Sequence, residues 1–326
     1  MAHRHIFEAF ERMLRDLAVD GNRDIPFGGK VVVFGGDFRQ CLPIVVHGGR
    51  ADQVTASLTY SPLWKHVRMM TLTINMRIAA AGSRSGQEFG KWLMRTGNGT
   101  EQTYGDDYVA LPEELHFVST DDELIEAIYP GLGAREFNAE TTTEIIRYFN
   151  GRTILSPYNE EVDAINEVAL QRFCRRSPDR AAYISTDWFV EDEACNMPQV
   201  PTEFLNKVSV AGLPEHVLHL AEGCPIILLR NLNHAAGLCN GTRLIISDLK
   251  KDVIIAQHAN GELLGDTVYI PRIDLTPENT ELSFKFTRRQ FPVRLAFAMT
   301  INKAQGQTFD RVGLDLDRYP FGHGQL

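Results

Sequence analysis

Lys30-Val31-Val32-Val33-Phe34-Gly35-Gly36-Asp37-Phe38-Arg39-Gln40-Cys41-Leu42-Pro43 is the stretch that organises the chain. Its four apolar residues form a short run rich in β-branched side chains. Such a run, bounded by glycine, predicts a strand buried on both faces, as in a parallel sheet. Gly35 and Gly36 would let the backbone turn tightly or approach a ligand. Asp37, Arg39 and Gln40 would then sit at the strand's carboxyl end, where open α/β sheets bind ligands. A glutamine there can accept from an attacking water or donate to a phosphate oxygen. The same residues also read as a buried strand followed by an ordinary polar loop.

A second stretch, Phe297-Ala298-Met299-Thr300-Ile301-Asn302-Lys303-Ala304-Gln305-Gly306-Gln307-Thr308, lies near the other end. Together the two resemble the Pif-type (petite integration frequency) DNA helicases of superfamily 1. Gly36, Asp37, Gln40, Leu42 and Pro43 match that family's Gly-Asp-x-x-Gln-x-Leu-Pro motif. Ala298, Thr300, Ile301, Asn302, Lys303, Ala304, Gln305 and Gly306 match its Ala-x-Thr-Ile-(His/Asn)-Lys-(Ser/Ala)-Gln-Gly motif. The similarity runs over nearly the whole chain, most strongly in residues 1–80, 150–170 and 220–326. Asn302 replaces the histidine of many members, keeping a hydrogen bond and losing the titratable ring.

The resemblance implies an α/β protein: an incomplete RecA-like (P-loop NTPase) motor domain, then a second RecA-like domain carrying an SH3-like β-barrel insertion. The expected boundaries are 1–67 for the end of the first motor domain, 68–180 and 291–326 for the second, and 181–290 for the insertion. It also implies ATP-driven 5′ to 3′ translocation on single-stranded DNA with unwinding of duplex junctions, in DNA repair, recombination or telomere maintenance. Gln40 and Arg77 would be catalytic, sensing the γ-phosphate. Gly36, Asp37, Gln305 and Gly306 would complete the nucleotide side. Ser156, Asn159, Thr300, Asn302 and Lys303 would hold the strand. The implied cofactors are ATP and Mg2+, the implied state a monomer, and the implied compartment the nucleus or the mitochondrion.

The residues also carry readings of their own. Arg77 follows Asn75-Met76 and reads either as a surface arginine or as a bidentate phosphate ligand. Ser156-Pro157-Tyr158-Asn159 joins a short strand, Thr153 to Ser156, to a helix carrying Val162, Ile165, Val168 and Leu170. Asn159 reads as that helix's N-cap or as a contact to a DNA phosphate at the helix start.

Three elements of the machinery that the resemblance implies find no match within the 326 residues. No Gly-x-x-x-x-Gly-Lys-Ser/Thr phosphate loop is present, Gly97-Asn98-Gly99-Thr100 being the nearest look-alike. The Asp-Glu pair that would hold magnesium sits, in the family, immediately before the segment matching Met1-Ala2-His3-Arg4, and the family's Tyr-Val-Ala-x-Ser-Arg motif, whose arginine also serves catalysis, would follow Phe321 to Leu326. The chain thus reads as the interior of a helicase, expected to hydrolyse ATP negligibly alone. The alternative is a non-catalytic, transposon-derived single-stranded-DNA-binding remnant. A first motor domain lacking strands of its sheet would leave an apolar face exposed.

Composition bounds these readings. The length suits about two domains, and 44% hydrophobic with 23% charged residues is an ordinary globular balance. No apolar run approaches the roughly 18–20 residues of a membrane span. Five cysteines, an odd number with no Cys-x-x-Cys pair, argue for a reducing compartment and against a zinc site. A net charge of −9 means that nucleic acid would be held by a local groove and in a salt-sensitive way. Arg172, Arg175, Arg176 and Arg180, and Arg288 with Arg289, are the local clusters; each also reads as a solvated face.

Elsewhere, apolar spacing over 3–18 predicts an amphipathic helix, and Ser61-Pro62 a helix start. Met69 to Ile74 alternates and predicts a strand. Phe89, Trp92 and Leu93, the run after Asp121, and residues 139–149 predict helices. Short apolar runs from Pro225, Thr242, Val253, Thr267 and Ser283 predict a small antiparallel barrel. Asn240-Gly241 reads as a turn, and Glu191 to Pro201 as an exposed loop.

Overall fold

The computed structural model describes residues 2–19, 21–45, 48–76, 84–105, 108–134, 142–175, 180–190, 200–210, 212–277, 282 and 284–320. They fall into two units, Met1–Phe117 with Tyr319–Leu326, and Val118–Arg318. No helix among them is long and apolar enough to cross a membrane.

The first unit opens with α1 (Arg4–Asp16), entered through His3, whose ring accepts from the His5 N–H. Glu11 on α1 is buried and its carboxylate accepts from the Phe27 N–H at 3.4 Å, which ties the turn at Pro26–Gly29 to the helix. Gly28 in that turn has φ +63, and a Cβ there would lie 2.6 Å from the Leu14 carbonyl oxygen, so only glycine fits. Then come α2 (Arg50–Thr55), a short turn of helix at Pro62–His66 capped by Ser61 as the Ser-Pro pair predicts, α3 (Arg84–Gly97), and a hairpin of β1 (Thr103–Tyr104) with β2 (Tyr108–Val109).

Two expected strands are absent. Val31–Phe34 and Met69–Ile74 join no ladder among the described residues. Val31 is 94% exposed, Val33 80% and Leu72 98%. A strand exists through its hydrogen-bonded neighbours, and the described residues of this unit offer these two runs none. Phe34 packs its ring 5.3 Å from Phe7 and 5.7 Å from Phe27, and Val32 is half-buried with it. The expected tight turn at Gly35-Gly36 is also not seen: neither glycine has a positive φ, and a Cβ at either meets nothing within 4 Å.

The second unit begins with α4 (Asp121–Ile128), capped by Thr120, and α5 (Thr142–Phe149). They cover a parallel sheet in the order β14 (Ala298–Thr300), β3 (Arg152–Ser156), β15 (Arg311–Leu314). β3 runs into α6 (Asn159–Phe173), and β14 into the single-turn α8 (Ile301–Ala304). Tyr129, Phe149, Phe173 and Phe297 pack ring against ring beneath the sheet, and the Tyr129 hydroxyl donates to the Phe297 carbonyl at 2.7 Å.

Between β3 and β14 the spaced apolar runs form antiparallel strands as predicted, paired among the described residues as separate sheets. One has the order β10 (Thr267–Pro271), β9 (Val253–His258), β8 (Arg243–Leu249), β7 (Pro225–Leu228), β13 (Val293–Leu295). A second joins β11 (Ile273–Leu275), β12 (Lys285–Gln290) and β5 (Thr186–Val190), and a third β4 (Arg180–Ile184) and β6 (Val217–Ala221). Asn240-Gly241 turns as expected, with Gly241 at φ +90 and the Thr242 N–H donating to the Cys239 carbonyl. Residues 191–199 of the expected loop lie outside the described residues.

Within the arginine clusters Arg175 and Arg289 are exposed, as a solvated face would have them, Arg176 lies outside the described residues, and the others are paired within the protein. Arg172 pairs with Asp122 at 2.5 Å, and Arg180 with Glu167 at 2.8 Å. Arg288 is 1% exposed. Its guanidinium grips Asp187 through three bonds of 2.8–3.1 Å and donates to the carbonyls of Leu205 (at the end of α7, Thr202–Lys207), Asn206, Val208 and Pro214. It is an internal clasp for the 205–214 segment.

Candidate functional site

In the second unit the two motif-bearing strands end side by side. Thr300 of β14 and Ser156 of β3 are partners in the parallel register. Each strand gives way directly to a helix, so two helix starts share the carboxyl edge of the sheet. That edge is the ligand side of open α/β sheets, and the unmet N–H groups of a helix's first turn favour an anion. Buried Asn166 on α6 fixes the arrangement. Its side chain accepts from the Ala298 N–H at 2.8 Å and donates to the carbonyls of Ala298 and Leu295 at 3.2 and 3.3 Å.

Ser156 is buried and its hydroxyl donates to Glu161. Asn159 is not the N-cap. The cap position is Tyr158, which makes no side-chain cap bond, and α6 starts one residue earlier than capping by Asn159 requires. The Asn159 side-chain Oδ1 instead accepts from Arg294 Nη1 at 3.0 Å, while Nη2 of the same arginine bonds Asp163. Arg318 closes the other half of the turn, lying 3.9 Å over the Tyr158 ring and reaching Glu160 at 3.3 Å and Glu161 at 3.6 Å. Thr300 is buried and stands at the N-cap of α8 without a side-chain cap bond. Asn302 and Lys303 on α8 are half-buried. Burial, followed by the charge of Arg294, pushes the Lys303 amine below its ordinary value, and Asp163 works against this. Gln305 and Gly306 follow, both exposed, with Gly306 at φ +81.

A cleft of about 190 Å³ opens beside Arg294, between Asp163, Glu167, Glu215 and His219, with Leu218, Val293 and Leu295 as its apolar wall. Burial raises the Asp163 carboxyl above its ordinary value, Arg294 and Lys303 opposing.

In the first unit the Asp37–Gln40 segment forms the turn that the two glycines do not, the Gln40 N–H donating to the Asp37 carbonyl at 3.0 Å. The Asp37 carboxylate accepts from the Arg39 N–H at 3.1 Å and from Arg39 Nε at 3.0 Å. Burial pushes its acidity one way, but these bonds and the Arg39 charge prevail and hold it below the usual carboxylate value. Phe38 packs edge-on to Trp64, and Cys41 and Pro43 are buried, which anchors the turn and leaves the Gln40 side chain exposed. Gly36 is exposed next to it. Arg77 lies outside the described residues. Among the described residues no three His, Cys, Asp or Glu side chains converge as a metal centre.

Sequence reading passed over Asp163, Asn166, Arg294 and Arg318. Two of them carried a signal. Asn166 is a polar residue on the apolar face between Ile165 and Ala169, and Arg294 is a lone charge inside Phe291–Phe297. Arg318 carried none.

Two family models match the chain: PIF1-like helicase over residues 1–107, and DNA helicase Pif1, 2B domain, over residues 203–249. The human ATP-dependent DNA helicase PIF1 is 24% identical over 332 aligned residues, covering 100% of this chain and 42% of that protein. The chain therefore spans less than half the length of this curated relative. Among solved structures, Pif1 helicase from Bacteroides in complex with ADP-AlF3 and ssDNA aligns with a TM-score of 0.56 at 20% identity, over 96% of this chain and 62% of that one. Pif1 helicase from Candida albicans aligns with a TM-score of 0.56 at 22% identity, over 100% of this chain and 66% of that one. These likenesses give the fold, that of the RecA-like motor domains of Pif1 helicases. Both motifs, both family models and a fold aligned along nearly its whole length mark the chain as similar to the PIF1-like helicases.

Proposed function

We propose that this chain is the strand-engaging part of an ATP-dependent DNA helicase that moves 5′ to 3′ along single-stranded DNA and opens duplex junctions. The observation that carries the reading is the shared carboxyl edge of β3 and β14, where Thr300, Lys303 and the uncapped start of α6 stand together. Such an edge suits a phosphate backbone without reading bases. In this reading residues 68–180 and 291–326 form one motor domain, 181–290 its insertion, and 1–67 part of the other motor domain. Gln40 and Arg77 then act on the γ-phosphate, while Gly36, Asp37, Gln305 and Gly306 line the nucleotide. ATP supplies the driving energy, and Mg2+ enters with it. The protein acts as a monomer.

The test is DNA-stimulated phosphate release and oligonucleotide binding, measured together on this chain and on a version that carries a phosphate loop. Binding by both, with hydrolysis in the loop-bearing version that is lost on Gln40→Ala, is the expected result. Binding without hydrolysis in either version would favour a non-catalytic binding module. Failure of both to bind single-stranded DNA would refute the reading.

A further inference from the structure

Arg294 is the one charge within Phe291-Pro292-Val293-Arg294-Leu295-Ala296-Phe297. A structural role asks only for a partner, and Asp163 is that partner through Nη2. The other branch of the fork is spent elsewhere: Nη1 reaches Asn159, the first residue of α6. There the helix has no side-chain cap, so its leading N–H groups are unmet within the helix. Lys303 lies close enough to Arg294 for the two cations to disfavour each other. Among the described residues Lys303 makes no ion pair of its own; Asp163 faces both cations, and Glu215 on the far side of the cleft also feels Arg294. The acids of the same turn, Glu160 and Glu161, are met by Arg318.

We propose that Arg294 is a further ligand for a DNA phosphate, its guanidinium shared between Asp163 and a phosphate oxygen at the amino end of α6, next to Lys303. This rests on the strand-binding reading above. An arginine suits the place because its planar fork can serve a carboxylate and a phosphate at once, which a lysine ammonium does less well.

The experiment measures binding of a fluorescein-labelled oligothymidylate by anisotropy between about 50 and about 200 mM salt. The parent, Arg294→Gln, Arg294→Lys and Asp163→Asn are compared, with melting curves confirming that each is folded. One phosphate contact to a single strand contributes about 0.7 to the slope of log affinity against log salt. Arg294→Gln is expected to bind more weakly and to lose about that much slope. Arg294→Lys keeps the slope with lower affinity. Asp163→Asn binds more tightly, because the carboxylate that competes with the phosphate is gone. Parental affinity and slope in Arg294→Gln would overturn the proposal. So would a loss in Asp163→Asn equal to that in Arg294→Gln, which marks the pair as purely structural. If the parent itself does not bind, the strand-binding reading fails and this inference with it.

Discussion

Replacing Arg288 by methionine leaves the Asp187 carboxylate, whose side chain is 0% exposed, with neutral donors, the Ser185 hydroxyl at 2.6 Å and the Asn206 amide at 3.1 Å, and with His216 at 3.8 Å, but without its arginine. It also strips a donor from the carbonyls of Leu205, Asn206, Val208 and Pro214. Removing one partner of a buried ion pair costs about 3–5 kcal/mol, mostly because the other charge stays behind without water. For a unit of this size each kcal/mol lowers the midpoint by about 2–4 °C, so the expected fall is roughly 6–20 °C. Thermal and urea melts followed by circular dichroism measure it. Arg288→Lys should recover only part, since an ammonium cannot reproduce seven bonds fanned from one plane. Asp187→Leu combined with Arg288→Met should be more stable than Arg288→Met alone, the orphan charge being removed. A loss below about 1 kcal/mol for Arg288→Met, the range of exposed pairs, would refute the reasoning.

Two further outcomes follow from buried groups. Cys224 is fully buried, and burial pushes its thiol up to about 12 from an ordinary 9.0. The folded chain thus holds this proton where the unfolded chain has released it, so the contribution is intact below 9.0 and is lost as the pH rises towards about 12. Alkaline unfolding should therefore be shallower in Cys224→Ala than in the parent, and native-state alkylation at neutral pH should spare Cys224 while labelling half-exposed Cys239; equal labelling of the two refutes this. In the first unit, Gly28→Ala places a methyl 2.6 Å from the Leu14 carbonyl at φ +63, whereas Gly99→Ala has the similar φ of +66 and open space. The left-handed conformation costs both about 1–2 kcal/mol; Gly28→Ala should lose more and expose α1 to hydrogen exchange, and equal losses would refute the close approach.

What could be read from the sequence was local. β3, α6 and four strands of the five-stranded antiparallel sheet announce themselves through apolar period, proline and glycine; the fifth, β13, lies in the stretch expected to belong to the motor domain, and the run from Ser283 joins a separate three-stranded sheet. The runs Val31–Phe34 and Met69–Ile74 have equally good strand chemistry, yet pairing is a property of neighbours and not of the run. Arg288 read as part of a basic groove or of a solvated face because its partner, Asp187, is 101 residues away; no spacing rule reports a contact of that range. The candidate site divides the same way. The motifs place Thr300 and Lys303 directly, but Arg294 enters only when β13, β14 and α6 are brought together by Asn166.

The turn between β3 and α6 has one more consequence. Ser156, Tyr158 and Asn159 each give their side chain to another part of the protein: to Glu161, to Arg318 and to Arg294. What the turn has left to offer a nucleic acid is mainly its peptide groups. A peptide N–H is the same whatever residue bears it, so this patch can tolerate drift in its side chains as long as the internal bonds that shape it survive. In the strand-binding reading proposed above, such a patch would hold a phosphate backbone without regard to base identity.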